Sequence, residues 1–283
     1  MRTFLKLCET LNYRKTAQIL HMSQPSVTQH IQSLEYHYGC KLFTYDKRKL
    51  EKTARAVILE TYTRSMVHNE NELVKKMHAQ KTISLRVGAT KSIGTYVLHS
   101  HVLSFLKEKH HELTFIIDNT RNLLSLLETN EIDIAFIEGF FDKNKFGYKL
   151  MRKEPFVGIC AQNHRFAGKE INIEDLFQEP LILREKGSGT RAIFEQELLA
   201  FNYTTSLFPT INSISSFPLL LDVVENGLGI SFVFEAVAQS RKEIATFSIK
   251  DAPIEREFNY VFLKGTDAEE QIALFNAEEK PTI

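Results

Sequence analysis

Cysteine is scarce in this chain and tryptophan is absent. Cys8, Cys40 and Cys160 are odd in number and far apart, which excludes a disulfide framework and fits reduced thiols serving as small packing residues. No apolar run approaches the ~18 residues that a membrane-spanning helix needs, and the first residues lack the charged, apolar and small-residue pattern of an export signal. No membrane association is therefore expected, and the cytoplasm is the expected compartment. Catalytic patterns are missing too. Gly187-Ser188-Gly189 does not sit in a Gly-x-Ser-x-Gly frame, and no Gly-x-x-x-x-Gly-Lys-Ser/Thr phosphate loop occurs. His110-His111 lacks the glutamate and the helical spacing of a zinc site, and His164 has no spaced partner. The chain is expected not to be an enzyme, and neither a cofactor nor a metal is expected.

What is present is an ordinary globular composition, 43% hydrophobic and 25% charged over 283 residues, enough for two or three compact units. Net charge is zero but unevenly spread. Residues 1–58 carry ten basic side chains against four acidic ones, a surplus of +6 that the remainder cancels. A basic head on an acidic body is the electrostatic footprint of a nucleic-acid-binding module joined to something else.

Within that head, residues 16–35 read as two short helices joined by a tight turn. Ser23 supplies an N-cap oxygen, and Pro25 in the first turn has no amide hydrogen for the helix to miss. Val27, Ile31, Leu34 and Tyr38 form one apolar stripe, leaving Ser26, Gln29, Gln32, Ser33 and Tyr36 on the opposite side. Short amides and hydroxyls suit a major-groove face, where glutamine pairs with base edges and serine with bases or phosphates. On the stripe alone, an ordinary amphipathic helix with a solvated polar face is slightly the better reading; the context of the stripe changes that. Lys47-Arg48-Lys49-Leu50-Glu51-Lys52 follows as a basic, hairpin-like segment.

Asn12-Tyr13-Arg14-Lys15-Thr16-Ala17, Met22-Ser23-Gln24-Pro25-Ser26-Val27-Thr28-Gln29, Leu34-Glu35 and Lys41-Leu42-Phe43, at these spacings, resemble the N-terminal signature of the LysR-type transcriptional regulators. The resemblance implies a winged helix-turn-helix over residues 1–58, with the basic segment as its wing. Lys15, Ser23, Gln24, Pro25, Ser26, Thr28, Gln29, Gln32, Ser33, Lys47, Arg48, Lys49 and Lys52 are the expected contacts to double-stranded DNA.

From Arg55 to Gln80 there is neither glycine nor proline, and Leu59, Tyr62, Met66, Asn69 and Leu73 recur every three or four residues. This suits a linker helix over 59–80 with a coiled-coil seam, in which Asn69 either fixes register or is merely exposed. The resemblance implies a homodimer through it, or a homotetramer.

Beyond residue 80, short apolar runs alternate with helical stretches, the signature of an α/β fold. Strands are expected at Ile83–Gly88, Leu113–Asp118, Ile132–Ile137, Phe156–Ala161, Leu181–Leu183, Thr210–Ile214, Ile230–Val233 and Phe258–Leu263. Helices are expected at Gly94–His110, Arg121–Asn130, Thr190–Ala200, Phe217–Asn226 and Glu269–Asn276. Two βα units joined by two crossing strands resemble the periplasmic-binding-protein-like effector domain of the same family, with lobe I at 81–157 and 256–283 and lobe II at 158–255. Ligands in such folds lie at the carboxyl ends of strands, near helix N-termini. By resemblance, Thr90, Lys91, Ser92, Asn119, Thr120, Glu138, Ser188 and Thr190 face the cleft between the lobes; for any single hydroxyl, a helix cap is as good a reading. The effector is expected to be small and polar, with an anion suited to the helix starts. Glu138 opposes a highly charged anion unless Lys91 or Arg191 offsets it. Arg184-Glu185-Lys186-Gly187-Ser188-Gly189-Thr190-Arg191 and Ile137-Glu138-Gly139 look most like the branch that includes regulators of sulfur metabolism. The competing reading is a small-solute-binding protein whose N-terminal helices serve another interaction, against which the basic head and the absent export pattern speak.

Overall fold

A computed structural model describes residues 1–78 and 82–276, and the chain divides into two units. The first comprises Met1–Gln80 with Glu128–Asn130 and Leu263–Asp267; the second is Lys81–Leu127, Glu131–Phe262 and Ala268–Ile283.

In the first unit, helices α1 (Arg2–Thr10), α2 (Tyr13–Ile19) and α3 (Gln24–Tyr38) precede a hairpin of β1 (Phe43–Asp46) and β2 (Lys49–Lys52), and then α4 (Ala54–His78). The starts of α2 and α3 are chemically marked. Asn12 Oδ1 accepts from the Lys15 amide at 2.9 Å, and Ser23 Oγ accepts from the Ser26 amide at 3.2 Å, satisfying amides that the first helical turn leaves open. Gly39 ends α3 in the left-handed region at φ 65°, where a Cβ costs energy. Phe4, Leu7, Ile31, Leu42 and Phe43 form the core, closed by an edge-on contact between Phe4 and Phe43. Val27 and Ile31 are buried as the apolar stripe requires, whereas Tyr38 is 42% exposed. The stripe runs out there because Tyr38 is the last residue of the helix. Glu35 binds back to the hairpin: its carboxylate accepts from the Leu42 amide at 2.9 Å and from Lys41 Nζ at 2.7 Å. Against partial burial, which would raise it, these bonds hold the Glu35 carboxyl below the usual range.

α4 is continuous, as the absence of glycine and proline predicts; residues 79 and 80 of the expected helix lie outside the described residues. Asn69 donates from Nδ2 to the Gly265 carbonyl at 2.9 Å, so its amide is used within the unit rather than standing idle.

The second unit is an α/β structure built on one curled sheet of order β4-β3-β5-β12-β6-β11-β7, with β10 also paired to β6. Its elements are β3 (Ile83–Thr90), α5 (Lys91–Tyr96), α6 (His99–Lys107), β4 (His111–Asp118), α7 (Thr120–Glu128), β5 (Ile134–Ile137) and β6 (Phe146–Ala161). There follow β7 (Glu170–Ile171), β8 (Leu181–Leu183), α8 (Gly189–Ala200), β9 (Ile211–Ser213), α9 (Phe217–Glu225), β10 (Ser231–Phe234), α10 (Glu235–Ala238), β11 (Ile244–Ile249), β12 (Ile254–Leu263) and α11 (Ala268–Phe275). β3 runs parallel to β4 and β5, and β8 parallel to β9. The long β6 and β12 cross between the lobes; β6 starts ten residues before the expected strand. The single helix expected at Gly94–His110 is instead two. The Leu98 amide returns to the Ile93 carbonyl at 3.1 Å and ends α5, and Gly94 lies so close to β4 that a Cβ there would sit 2.9 Å from Ile117. Cys8 and Cys160 are buried and unbridged, their thiols pushed up to about 12 and about 11, chiefly by burial, as packing residues require.

Candidate nucleic-acid interface and effector cleft

The candidate nucleic-acid face is built by α3 and the hairpin. Of the expected contacts, Lys15, Ser23, Gln24, Pro25, Gln29, Gln32, Ser33, Lys47, Arg48 and Lys49 are exposed. Ser23 and Ser26 also hydrogen-bond each other at 2.8 Å, and the Thr28 hydroxyl donates back to the Gln24 carbonyl at 3.1 Å. Lys47 and Arg48 form a two-residue turn with φ of 41° and 75°, positive at both positions as the tightest hairpins require. That turn presents consecutive exposed cations at Lys47, Arg48 and Lys49. Lys52 differs: its Nζ is 2.7 Å from Glu60 Oε2, tying β2 to α4. Glu60 in turn lies 2.6 Å from Arg64, and both are almost fully buried.

The second candidate site lies where β3, β4 and β5 end together in the second unit. Thr90 pairs in register with Asp118, and Glu138 follows β5 directly. Facing them is the segment between β8 and α8. Thr90, Lys91, Ser92, Asn119, Thr120, Glu138, Ser188 and Thr190 do line one cavity, together with Asp118, Arg184, Glu185 and Gly189. The free space is about 20 Å³, room for a water molecule and little more. The two sides approach each other closely here: Lys91 Nζ reaches Glu185 Oε1 at 3.0 Å, and a Cβ on Gly189 would lie 3.9 Å from Gly139 Cα.

Individual roles differ. Asn119 caps α7, its Oδ1 accepting from the Asn122 amide at 3.0 Å. Thr90 donates to the Glu138 carboxylate, while Ser92 Oγ is buried without a hydrogen-bond partner of normal geometry. Ser188 stands at the N-cap of α8 without a side-chain cap bond, leaving the first-turn amides of a twelve-residue helix open to a ligand. Glu138 is buried, and burial pushes its carboxyl up to about 7 against its own amide, the Ser92 hydroxyl and the Arg184 guanidinium. Arg184 stacks on Phe217, 3.9 Å from the ring centre, and pairs with Glu185 at 3.0 Å. Against partial burial, bonds from Lys91, its own amide and Arg184 hold the Glu185 carboxyl low. Arg191, a candidate to offset Glu138, instead pairs with Glu195 at 2.8 Å.

A basic helix-turn-helix with a hairpin wing, a long helix and a two-lobed α/β domain with a polar cleft define a ligand-responsive DNA-binding protein. The chain belongs to the LysR family and is a DNA-binding transcriptional regulator with an effector-binding domain. The family description "Bacterial regulatory helix-turn-helix protein, lysR family" matches residues 1–57, and "LysR substrate binding domain" matches residues 78–277. The HTH-type transcriptional regulator CysL of Bacillus subtilis is 28% identical over 270 residues, covering 92% of this chain and 89% of the relative. A hydrogen-peroxide-bound cysteine-to-serine mutant of Corynebacterium glutamicum OxyR shares the fold with a TM-score of 0.62 at 22% identity, over 97% of this chain and 88% of that one. The regulatory domain of Synechocystis CcmR in complex with 2-PG shares it with a TM-score of 0.60 at 20% identity, over 70% of this chain and 98% of that one. No helix among the described residues is long and apolar enough to cross a membrane.

Proposed function

We propose that this regulator acts in the cytoplasm as a homodimer, lays α3 in the major groove of DNA and answers to a small polar effector held in the cleft between its lobes. The observation that carries the DNA reading is the exposed face of Gln29, Gln32 and Ser33 on α3 together with the exposed wing tip of Lys47, Arg48 and Lys49. The wing cations supply phosphate contacts, and the amides supply base recognition. Lys52 serves the wing indirectly, by fixing β2 to α4.

Two measurements separate these roles. Replacing Lys47, Arg48 and Lys49 with alanine should flatten the fall of log K with log salt by about 0.9 for each phosphate no longer neutralised, while keeping sequence preference. An unchanged slope removes the wing from the interface. Gln29→Ala should relax preference at one base position per half-site, by roughly 1–3 kcal/mol if its bond to the base is bidentate; uniform weakening across a randomised operator library reduces Gln29 to a positioning residue.

Dimerisation is supported by α4. Ile58, Tyr62, Met66, Leu73 and Met77 are each more than half exposed and recur at coiled-coil spacing, an apolar stripe that a partner helix would cover.

The cleft reading rests on the Ser92 and Thr190 hydroxyls, both buried in the wall of the cavity, and on the open first turn of α8. Lys91 and Glu185 meet across the cleft, so an effector that parts them biases lobe closure. Ser92→Ala and Thr190→Ala should each weaken effector binding by about 1 kcal/mol or more in calorimetry, leaving DNA affinity of the ligand-free protein unchanged. Wild-type affinity in both variants places the effector elsewhere.

A further inference from the structure

The charges around the cleft restrict what it accepts. Five lining side chains are ionisable: Lys91 and Arg184 against Asp118, Glu138 and Glu185. Both cations are engaged by Glu185. Asp118 takes neutral donors only, the Asn119 amide at 2.7 Å and the side-chain amides of Asn119 and Asn122, each at 3.0 Å. Among the described residues, neither Asp118 nor Glu138 has a salt-bridge partner. A dianion entering here meets two carboxylates and no uncommitted cation, an arrangement costly out of bulk water.

Donors are what the site lacks. Glu138 is a wall of this cavity and also of a larger groove of about 750 Å³. In that groove Asn259, 4% exposed, leaves its Oδ1 without a donor. On the lobe II side the balance reverses, because Ser188 leaves the first turn of α8 uncapped and its amides favour one negative group. Ser92, 1% exposed in the same cavity and without a hydrogen-bond partner of normal geometry at its Oγ, supplies a further polar anchor.

We propose that the effector is an amino-acid-type zwitterion, its carboxylate on the first turn of α8 and its ammonium on Glu138, with the groove beyond Glu138 receiving its side chain. This rests on the cleft reading above and goes beyond it by naming the ligand class and making Glu138 the residue that selects it. An ammonium brings three donors to a place with surplus acceptors, and the ligand's zero net charge avoids the repulsion a dianion meets.

The test is calorimetry at pH 7.5 on the full-length protein with the proteinogenic amino acids, and with malonate and sulfate as dianion probes. At least one amino acid should bind more tightly than either dianion. Glu138→Gln should weaken that amino acid about tenfold or more, as loss of a charge-assisted bond implies, and should strengthen malonate. Glu138→Asp, which keeps the charge, should retain the preference for the zwitterion. This inversion of selectivity is not something a misfolded variant produces. The proposal is overturned if no amino acid binds, if a dianion binds more tightly than every amino acid, or if Glu138→Gln leaves amino-acid affinity unchanged. Ser92→Ala then separates the two readings. A dianion that loses affinity in Ser92→Ala keeps the cleft as the site and discards the zwitterion, whereas one that does not discards the cleft as well.

Discussion

Replacing Glu60 with alanine is expected to destabilise the N-terminal unit by about 3–5 kcal/mol, the usual cost of leaving one member of a buried ion pair without its partner. Glu60 is 5% exposed and Arg64 is 3% exposed. The Glu60 carboxylate accepts from Arg64 Nη2 at 2.6 Å and Nε at 3.2 Å, and from Lys52 Nζ at 2.7 Å. Burial alone would raise the Glu60 carboxyl; the bonds from Lys52 and Arg64 outweigh it and hold the group ionised. Without Glu60, the Arg64 guanidinium keeps only its longer pairings with Glu9 at 3.8 Å and Glu128 at 3.9 Å and its bond to the Glu128 carbonyl, and Lys52 loses its tie to α4. The double variant Glu60→Leu with Arg64→Met removes both charges together and should recover most of the loss, since two apolar groups of similar size cost little where a lone charge costs much. Urea unfolding followed by circular dichroism measures both. A loss below about 1 kcal/mol in Glu60→Ala would mean that water reaches the pair. Any folded fraction should also bind DNA with a flatter salt dependence, because the wing is no longer held against α4.

This pair is invisible in the sequence. Lys52 reads there as one more wing cation, and nothing in Arg48-Lys49-Leu50-Glu51-Lys52 announces that its partner stands eight residues on, inside a helix. The start of α3, by contrast, is legible to the residue: the Ser23 cap and the Pro25 start are local chemistry, and local chemistry survives folding. Even the Leu34-Glu35 pair has a physical meaning only the fold supplies, since Glu35 caps the chain at Leu42.

In the second unit, elements with strong apolar runs are legible within a few residues. The expected and observed bounds of β8 coincide, and those of α8 differ by one residue. The early half of β6 is not legible, because Tyr148-Lys149-Leu150-Met151-Arg152-Lys153-Glu154 mixes charge into a strand whose faces are largely solvated. β7, α10 and β11 escape a reading of the sequence as well. β7 and α10 are too short for a periodic signal, and β11 alternates buried and exposed residues only within a sheet that non-local partners define. The cleft shows the same division. Hydroxyls beside helix starts mark Thr90, Ser92, Ser188 and Thr190. Arg184, Glu185 and Asp118 lie in segments that the sequence marks as strand ends, but their individual roles are not legible there, because those roles lie in pairing across space.

Raising the pH through 7 is expected to destabilise the closed second unit of the wild type and to leave Glu138→Gln nearly unaffected. The Glu138 carboxyl titrates near 4.5 in the unfolded chain and is pushed up to about 7 by burial in the closed cleft. A carboxyl whose folded value is raised favours the folded, protonated form. Its contribution is complete below the unfolded value and fades as pH climbs to the folded one, so the loss falls between about pH 4.5 and 7. At about 1.4 kcal/mol per pH unit, the upper limit is roughly 3 kcal/mol. The groups facing Glu138 set that limit: the Thr90 and Ser92 hydroxyls, the Gly189 backbone and, at longer range, the Arg184 guanidinium. Opening the lobes lets water solvate the ionised carboxylate, so the cost of opening caps the loss, and alkaline conditions populate the open form from which a ligand binds. The melting temperature of the effector-domain transition, recorded from about pH 5 to 8.5, should therefore fall by several degrees more in wild type than in Glu138→Gln. A bound donor reverses the sign, because an ammonium against Glu138 stabilises the ionised form and draws its titration downward. Parallel pH profiles for the two proteins would show that Glu138 stays solvated and that the cleft is open at neutral pH.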